Sequence, residues 1–556
     1  MPGKGTTLDR RVVATERTLA GLADVVGRRP EYQVLGLVVL VVVGLLLWVI
    51  VLLGGLSVAV TLVVGLILIP TTVGLALVRP LLGLLLCVGL LPFLPDVSHT
   101  LGKMVYPWEI ALLCTVVAVL ARAPGARRDI GDRDMPLAGV ASVAVVGVVL
   151  AGIISVVHGR ASGVPVITGT HPGSILRYAE CGLLFWVAGR VVRTPRDLAA
   201  VAATLACTGA LQAVFGLAQH FGWMSYRAMA NPEVVVVPRA YLHWLAGIGG
   251  SVAIAGSGTM IHFQAFSEVT LMATIFSAGL AWVTKGRLRA WWVAVAVVSF
   301  SGLLVSYSRG GLAELTLAAW LLLQFVPRGP SAVWWRCLGY FLVVAVALGG
   351  WALASTQYAQ TLTMESRPIM WAEAMKGFPV DLVELLLGRG WPATGVAVHG
   401  VHVYLLVEQG LLGLSTYVVL LLALTLPLRG AWRSPDRGWP AVCQGCAVAY
   451  LLCFQGNAAV QNAWGPGNVQ LMSLYMLVGA LSLAADQIRR AGPAEAEDVA
   501  TDTALRQRHP SRPLRLGRIG NAGAAAANSQ RAIPRPWRRP RPGSTGPATG
   551  RTPLSP

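Results

Sequence analysis

His399 is the residue whose type and setting best suit proton chemistry in this chain. An imidazole titrates near neutral pH, and His399 lies eleven residues ahead of Gly410, the first glycine of a Gly410-Leu411-Leu412-Gly413 step that opens a long apolar segment. Two arginines precede it in the chain. Arg309 lies in the run Ser306-Tyr307-Ser308-Arg309-Gly310-Gly311, and Arg367 in Ser366-Arg367-Pro368-Ile369-Met370-Trp371-Ala372-Glu373-Ala374. A guanidinium keeps its proton and offers a planar fork that binds phosphate-type oxygens two at a time. Imidazole and guanidinium groups together suit proton transfer beside a bound oxyanion. Between Arg367 and His399 stands Leu387-Gly388-Arg389-Gly390-Trp391, and His402, Tyr404 and Glu408 follow His399 at helical spacing.

The elements that must position these residues are apolar. Of 556 residues, 55% are hydrophobic and only 12% charged, too little charge to cover a soluble protein of this size. Windows of about 20 apolar residues predict spans at 34–53, 56–78, 81–94, 107–121, 137–157, 173–188, 197–221, 263–283, 290–306, 309–326, 334–354, 401–427, 440–460 and 468–485. The fold class is therefore an all-α polytopic membrane protein with about 12–14 transmembrane helices. The 81–94 piece is bounded by Arg79-Pro80 and by Pro92 and Pro95, which suits a tilted or half-length segment.

Orientation follows from the basic residues, because short cytoplasmic loops retain Lys and Arg. Alternate connections carry them: Arg122, Arg127, Arg128 and Arg133; then Arg190, Arg193 and Arg196; then Lys285, Arg287 and Arg289; then Arg328 and Arg336; then Arg429, Arg433 and Arg437. This alternation predicts cytoplasmic termini in a multi-pass cytoplasmic membrane protein. It makes residues 1–33 a cytoplasmic segment, 34–485 the membrane domain, and 222–262 and 355–400 external loops. The parity holds only if the apolar stretch 240–256 does not cross.

The net charge of +19 does not indicate nucleic acid, since 13 of the 44 basic residues lie after Asp486 in a Pro-, Gly-, Ala- and Arg-rich tail. That composition predicts a disordered cytoplasmic tail over 486–556 that touches anionic membrane lipids. The first 33 residues lack a cleavable signal pattern. Cys443 and Cys446 have metal-type spacing but no second pair, and no Asp-x-Asp, His-x-x-x-His or P-loop pattern occurs. The expectation is chemistry without metal, cofactor or ATP. Arg177 and Glu180 are spaced to pair with one another. Glu268 and Glu314, inside predicted spans, need partners or a wet cavity, with Arg309 or Arg177 expected beside one of them.

In order and placement these marks resemble the O-antigen ligase and O-antigen polymerase superfamily of membrane glycosyltransferases. Ser308-Arg309-Gly310-Gly311 is similar to that family's outer helix junction. Arg367, Trp371 and Ala374 match the start of its large external loop, Gly388-Arg389-Gly390 its G-x-G turn, and His399 with Gly410 and Gly413 its histidine motif. The likeness covers roughly residues 260–485. Gly400 replaces the family's polar residue after the histidine, and the Gly256-Ser257-Gly258-Thr259 segment lacks the family's following Asn-Pro-Asn.

The resemblance implies transfer of a glycan from an undecaprenyl-diphosphate donor to a hydroxyl of a glycan, lipid or protein acceptor on the outer face of the membrane. Arg309 and Arg367 would bind the diphosphate, and His399 would accept or orient the acceptor proton, with His402 the alternative. Arg389, Arg239, Glu408 and Trp371 would complete substrate binding. Bland roles stand beside these. Arg309 suits a snorkelling interfacial arginine, Arg367 a loop ion pair with Glu365 or Glu373, His399 loop packing, Glu408 a helix-dipole partner and Trp371 an interfacial belt. The rival class is a multi-pass transporter or flippase of lipid-linked oligosaccharides. It would carry repeat symmetry between halves, and none is legible.

Overall fold

A computed structural model describes residues 70, 72–93, 107–126, 136–162, 171–223, 258, 260, 263–306, 308–324, 333–334, 337–341, 343–345, 366–376, 378–390, 400–433, 438–460 and 469–508. Contacts divide the chain after Ala500, and, apart from the end of the last helix, everything below concerns the first unit. The predicted spans 34–53 and 334–354, most of 56–78, and the external loop 222–262 lie largely or wholly outside the described residues.

The described chain is helical and contains no strand. In order, the helices are α1 Pro80–Leu90, α2 Pro107–Ala126, α3 Pro136–Ala161, α4 His171–Val191, α5 Pro195–His220, α6 Phe263–Val283 and α7 Gly286–Val305. There follow α8 Arg309–Leu323, α9 Ser366–Met375, α10 Leu382–Leu387, α11 Val401–Thr425, α12 Leu428–Arg433, α13 Trp439–Val460 and α14 Val469–Arg508. Within them, Ala138–Ala161, Pro195–His220, Gln264–Val283, Gly286–Val305, Val401–Ala431 and Val469–Ala491 are long and apolar enough to cross a membrane. The described residues are thus all-helical, with six helices of the length and composition that cross membranes. At 11 residues, α1 is about 16 Å long, which makes it the half-length piece its flanking prolines foretell.

Helix starts follow local chemistry. At the α4–α5 corner the Thr194 hydroxyl accepts from the Asp197 amide at 3.2 Å, and the Asp197 carboxylate accepts from the Thr194 amide at 3.1 Å. Pro195 fills the first turn, where no amide is needed. Arg79 reaches the same carboxylate at 2.9 Å, so one buried aspartate ties α1 to the start of α5. Ser308 caps α8 by accepting from the Gly311 amide at 3.1 Å.

The centre of the bundle is built by α5, α6, α13 and α14. Small residues let the backbones close: a Cβ on Gly302 of α7 would lie 2.8 Å from the Ala213 Cα of α5, the close approach that membrane helices use in place of a hydrophobic drive. Cys443 and Cys446 are buried, all eight cysteines are unbridged, and the Cys446 thiol donates to the Ile275 carbonyl at 3.6 Å. One boundary differs from expectation. The last helix continues to Arg508, past the Asp486 limit at which the tail was predicted to begin. Ala, Glu, Gln and Arg dominate 494–508 and are strong helix formers even without a core to pack on.

Candidate functional site

The third and fourth sequence marks meet at a break in α11. Gly410 has φ 64° and ψ −164° inside that helix, a conformation that a side chain would strain. The fold at this point is sharp. His402 and Tyr417 are fifteen residues apart, about 22 Å along a straight helix, yet their rings meet edge-on with centroids 6.0 Å apart. Two side chains cannot bridge that span, so Val401–Gln409 folds back on the segment that follows.

A broken helix leaves carbonyls without the amides four residues on. Here a neighbouring loop supplies them. The Arg389 amide donates to the Val407 carbonyl at 2.8 Å, and the Gly390 amide to the Glu408 carbonyl at 3.2 Å. The Ser155 hydroxyl of α3 donates to the same Glu408 carbonyl at 2.7 Å. The Gly388-Arg389-Gly390 turn is therefore a strap across the open helix. Its glycines are required by contact as well as by φ, which is 77° at Gly388 and 85° at Gly390. A Cβ on Gly388 would lie 2.5 Å from the Gln409 amide nitrogen, and one on Gly410 2.5 Å from the Gly388 amide nitrogen. One on Gly390 would lie 2.9 Å from the Ser155 carbonyl oxygen.

The side chains at the break form a buried polar cluster. Tyr178 of α4 and Tyr404 of α11 have hydroxyls 3.2 Å apart, and the Gln409 amide donates to the Tyr178 hydroxyl at 2.9 Å. Glu408 is 2% exposed, with its carboxyl within hydrogen-bonding reach of Tyr404. Gly413 makes room: a Cβ there would lie 2.7 Å from the Gln409 side-chain oxygen. The two glycines of the Gly410-x-x-Gly413 step thus have separate tasks, one setting the break and the other admitting Gln409.

Arg389 is engaged inside its own loop. Its Nε donates to Glu384 at 2.5 Å and Nη2 to the Lys376 carbonyl at 3.0 Å, while the guanidinium lies over the Phe378 ring at 5.7 Å. Glu384 is fixed in turn, because its amide is bonded to the Asp381 carboxylate that caps α10. In this arrangement Arg389 is held to the strap by Glu384 and the Lys376 carbonyl.

The remaining candidates are distributed as follows. Arg309 is the first residue of α8 and Arg367 the second of α9; both are described by backbone alone. Trp371 on α9 is half-buried against the bundle core, and α9 packs on α11. His402 is half-buried. His399 and Arg239 lie outside the described residues.

Sequence reading missed Tyr178, Gln409 and Ser155, which make the break habitable. The buried acids have carboxyl neighbours that the sequence did not reveal. Glu314 on α8 lies near Glu268 of α6, with the Tyr450 hydroxyl of α13 also near Glu268. Glu180 faces Glu109 of α2 ahead of Arg177, so the i,i+3 pair is part of a trio. Among the described residues no group of His, Cys, Asp and Glu could hold a metal ion.

The site belongs to an all-helical protein of membrane-spanning type. No model of a known protein family matches the chain, and no curated protein matches it. The resemblance in its sequence therefore rests on the motifs themselves.

Proposed function

We propose that the chain is a membrane glycosyltransferase of the O-antigen ligase and polymerase kind. It would move a glycan from an undecaprenyl-diphosphate donor to an acceptor hydroxyl at the outer face of the cytoplasmic membrane. The observation that carries this reading is the strap: the Arg389 and Gly390 amides bonded to the Val407 and Glu408 carbonyls at the Gly410 break. Two marks that were only ordered in sequence are one built structure, with a buried Tyr178–Tyr404–Glu408–Gln409 cluster beside it.

In this reading the acceptor oxygen attacks the anomeric carbon and the bond from that carbon to the diphosphate oxygen breaks. The electron pair leaves with the diphosphate, and the acceptor proton passes to an imidazole, His399 or its neighbour His402. Arg309 and Arg367 hold the diphosphate, with the first-turn amides of α8 adding to the field. Because the lipid diphosphate is already a good leaving group, cations and a base suffice, and no step calls for a metal.

The break also favours a second reading, a transporter or flippase of lipid-linked oligosaccharides, since secondary transporters place interrupted helices at their substrate sites. Purified protein in vesicles containing a lipid-linked oligosaccharide separates the two. Covalent transfer to an added acceptor supports the enzyme, while movement of intact donor between leaflets without transfer replaces it with the flippase. Mass spectrometry of envelope glycans from a deletion strain then names the acceptor class: long chains left on the lipid carrier indicate a ligase, and single repeat units a polymerase.

A further inference from the structure

One face of α10 is built for lipid. Val380 is 80% exposed, Leu382 69%, Val383 52% and Leu386 45%. Leu382, Val383 and Leu386 fall within one arc of the helix at 100° per residue, and Val380 leads into it. The other side, with Glu384, Leu385 and Leu387, is half-buried where α10 packs on α3 and α11. A helix of six residues is about 9 Å long, so it cannot cross a bilayer. Of the charges nearby, Glu384 lies off this arc and is bonded to Arg389, while the exposed Asp381 beside Leu382 is engaged in capping the helix.

The surface that α10 extends is already lipid-like. On α3 the exposed residues Val143, Val146, Leu150 and Val157 recur at steps of three, four and seven, the stripe that a spanning helix turns toward acyl chains. The stripe ends two residues before Gly159, the backbone against which Gly390 closes. Chain from α10 to that contact runs only through Gly388 and Arg389. The apolar arc of α10 thus begins where the outward stripe of α3 ends.

We propose that α10 is an interfacial foot, seated with Val380, Leu382, Val383 and Leu386 among the acyl chains of the leaflet that borders the strap. Its partner is bilayer lipid. The foot holds the strap at the membrane surface and so fixes the depth of the α11 break. This inference goes beyond the glycosyltransferase reading and does not depend on it.

The test uses the full chain in phosphatidylglycerol and phosphatidylethanolamine nanodiscs, with the photoreactive amino acid benzoylphenylalanine placed at Val383, at Val146 of α3 or at Glu373 of α9. After irradiation, intact-protein mass spectrometry counts lipid adducts. The expected result is adduct yield at Val383 close to that at Val146 and well above that at Glu373. Labelling at Val146 with only the Glu373 level at Val383 overturns the foot, as do adducts at Val383 that join two copies of the chain. Absence of lipid adducts at both Val383 and Val146 overturns it together with the lipid-facing assignment of α3. Because Val383 is exposed, its replacement should leave folding intact, and a single symmetric size-exclusion peak in each variant verifies this.

Discussion

The Gly390 amide donates to the Glu408 carbonyl at 3.2 Å, and this bond closes eighteen residues of chain into a loop whose seam is an open turn of helix. The loop and the break therefore require one another. Without the strap, the Val407 and Glu408 carbonyls would lose amide donors in a buried setting, at a cost of about 1–3 kcal/mol for each group left unsatisfied. Without the break, the strap would have no carbonyls to bind.

Gly410→Ala meets both a positive φ and the strap backbone. It should destabilise the protein by about 1–3 kcal/mol, lower its melting temperature in nanodiscs and abolish glycan transfer. Gly139→Ala is the control, since nothing lies within 4 Å of a Cβ at that site. Equal melting temperatures for the two variants would remove the case for a constrained break.

Glu384→Gln and Arg389→Ala should behave as one lesion. Their side chains are 13% and 26% exposed, a partly buried pair, so a double-mutant cycle should give a coupling of about 1 kcal/mol. If Arg389 instead bound the donor diphosphate, Arg389→Ala would raise the apparent KM for donor while Glu384→Gln would not. Steady-state kinetics on both variants distinguishes these outcomes.

Tyr178→Phe removes the hydroxyl that accepts from Gln409 and meets Tyr404. The expected loss is about 1–3 kcal/mol of stability, and Tyr404→Phe added to it should cost less than the sum of the single changes. Chemical denaturation in detergent micelles would measure both. Full additivity would show that the two hydroxyls do not share one network.

His399→Ala should slow transfer by about 10²–10⁴-fold while leaving donor binding in place. His402→Phe keeps an edge contact to Tyr417 and should leave the rate within about tenfold of the parent if His399 is the proton acceptor. A reversal of the two effects would move the reactive role to His402. Radiolabelled sugar transfer to acceptor, read at saturating donor, is the measurement.

Arg309→Lys and Arg367→Lys preserve charge but lose the planar fork. Each should weaken donor binding, seen as a raised apparent KM with a smaller change in kcat. Unchanged donor KM in both would leave snorkelling and loop ion pairing as the roles of these residues.

Much of the architecture was readable from the chain because apolar length and turn residues are local signals. The half-length α1 followed from Arg79-Pro80 and Pro92, and the start of α8 from the apolar window that opens at residue 309. The step Gly410-Leu411-Leu412-Gly413 marked the point at which the long apolar helix begins, which is where the break falls. The contact between Gly390 and Glu408 was not readable, because a backbone amide carries no sequence signature. Tyr178 was invisible for a related reason: its hydroxyl matters through neighbours contributed by another helix. The Glu268–Glu314 neighbourhood was not readable either, because which helix faces which is set by packing rather than by local sequence.

Val401–Ala431 spans 31 residues, and as one straight rod it would measure about 46 Å, well beyond a hydrocarbon core of about 30 Å. A sequence this long and apolar is mismatched to any ordinary bilayer unless it tilts steeply or bends. The bend at Gly410 leaves 21 residues to cross, about 31 Å, and releases the excess as a short arm bearing His402, Tyr404 and Glu408. Bilayer thickness is therefore expected to act on this bend: thicker lipid should pull on the hinge, and thinner lipid should relax it.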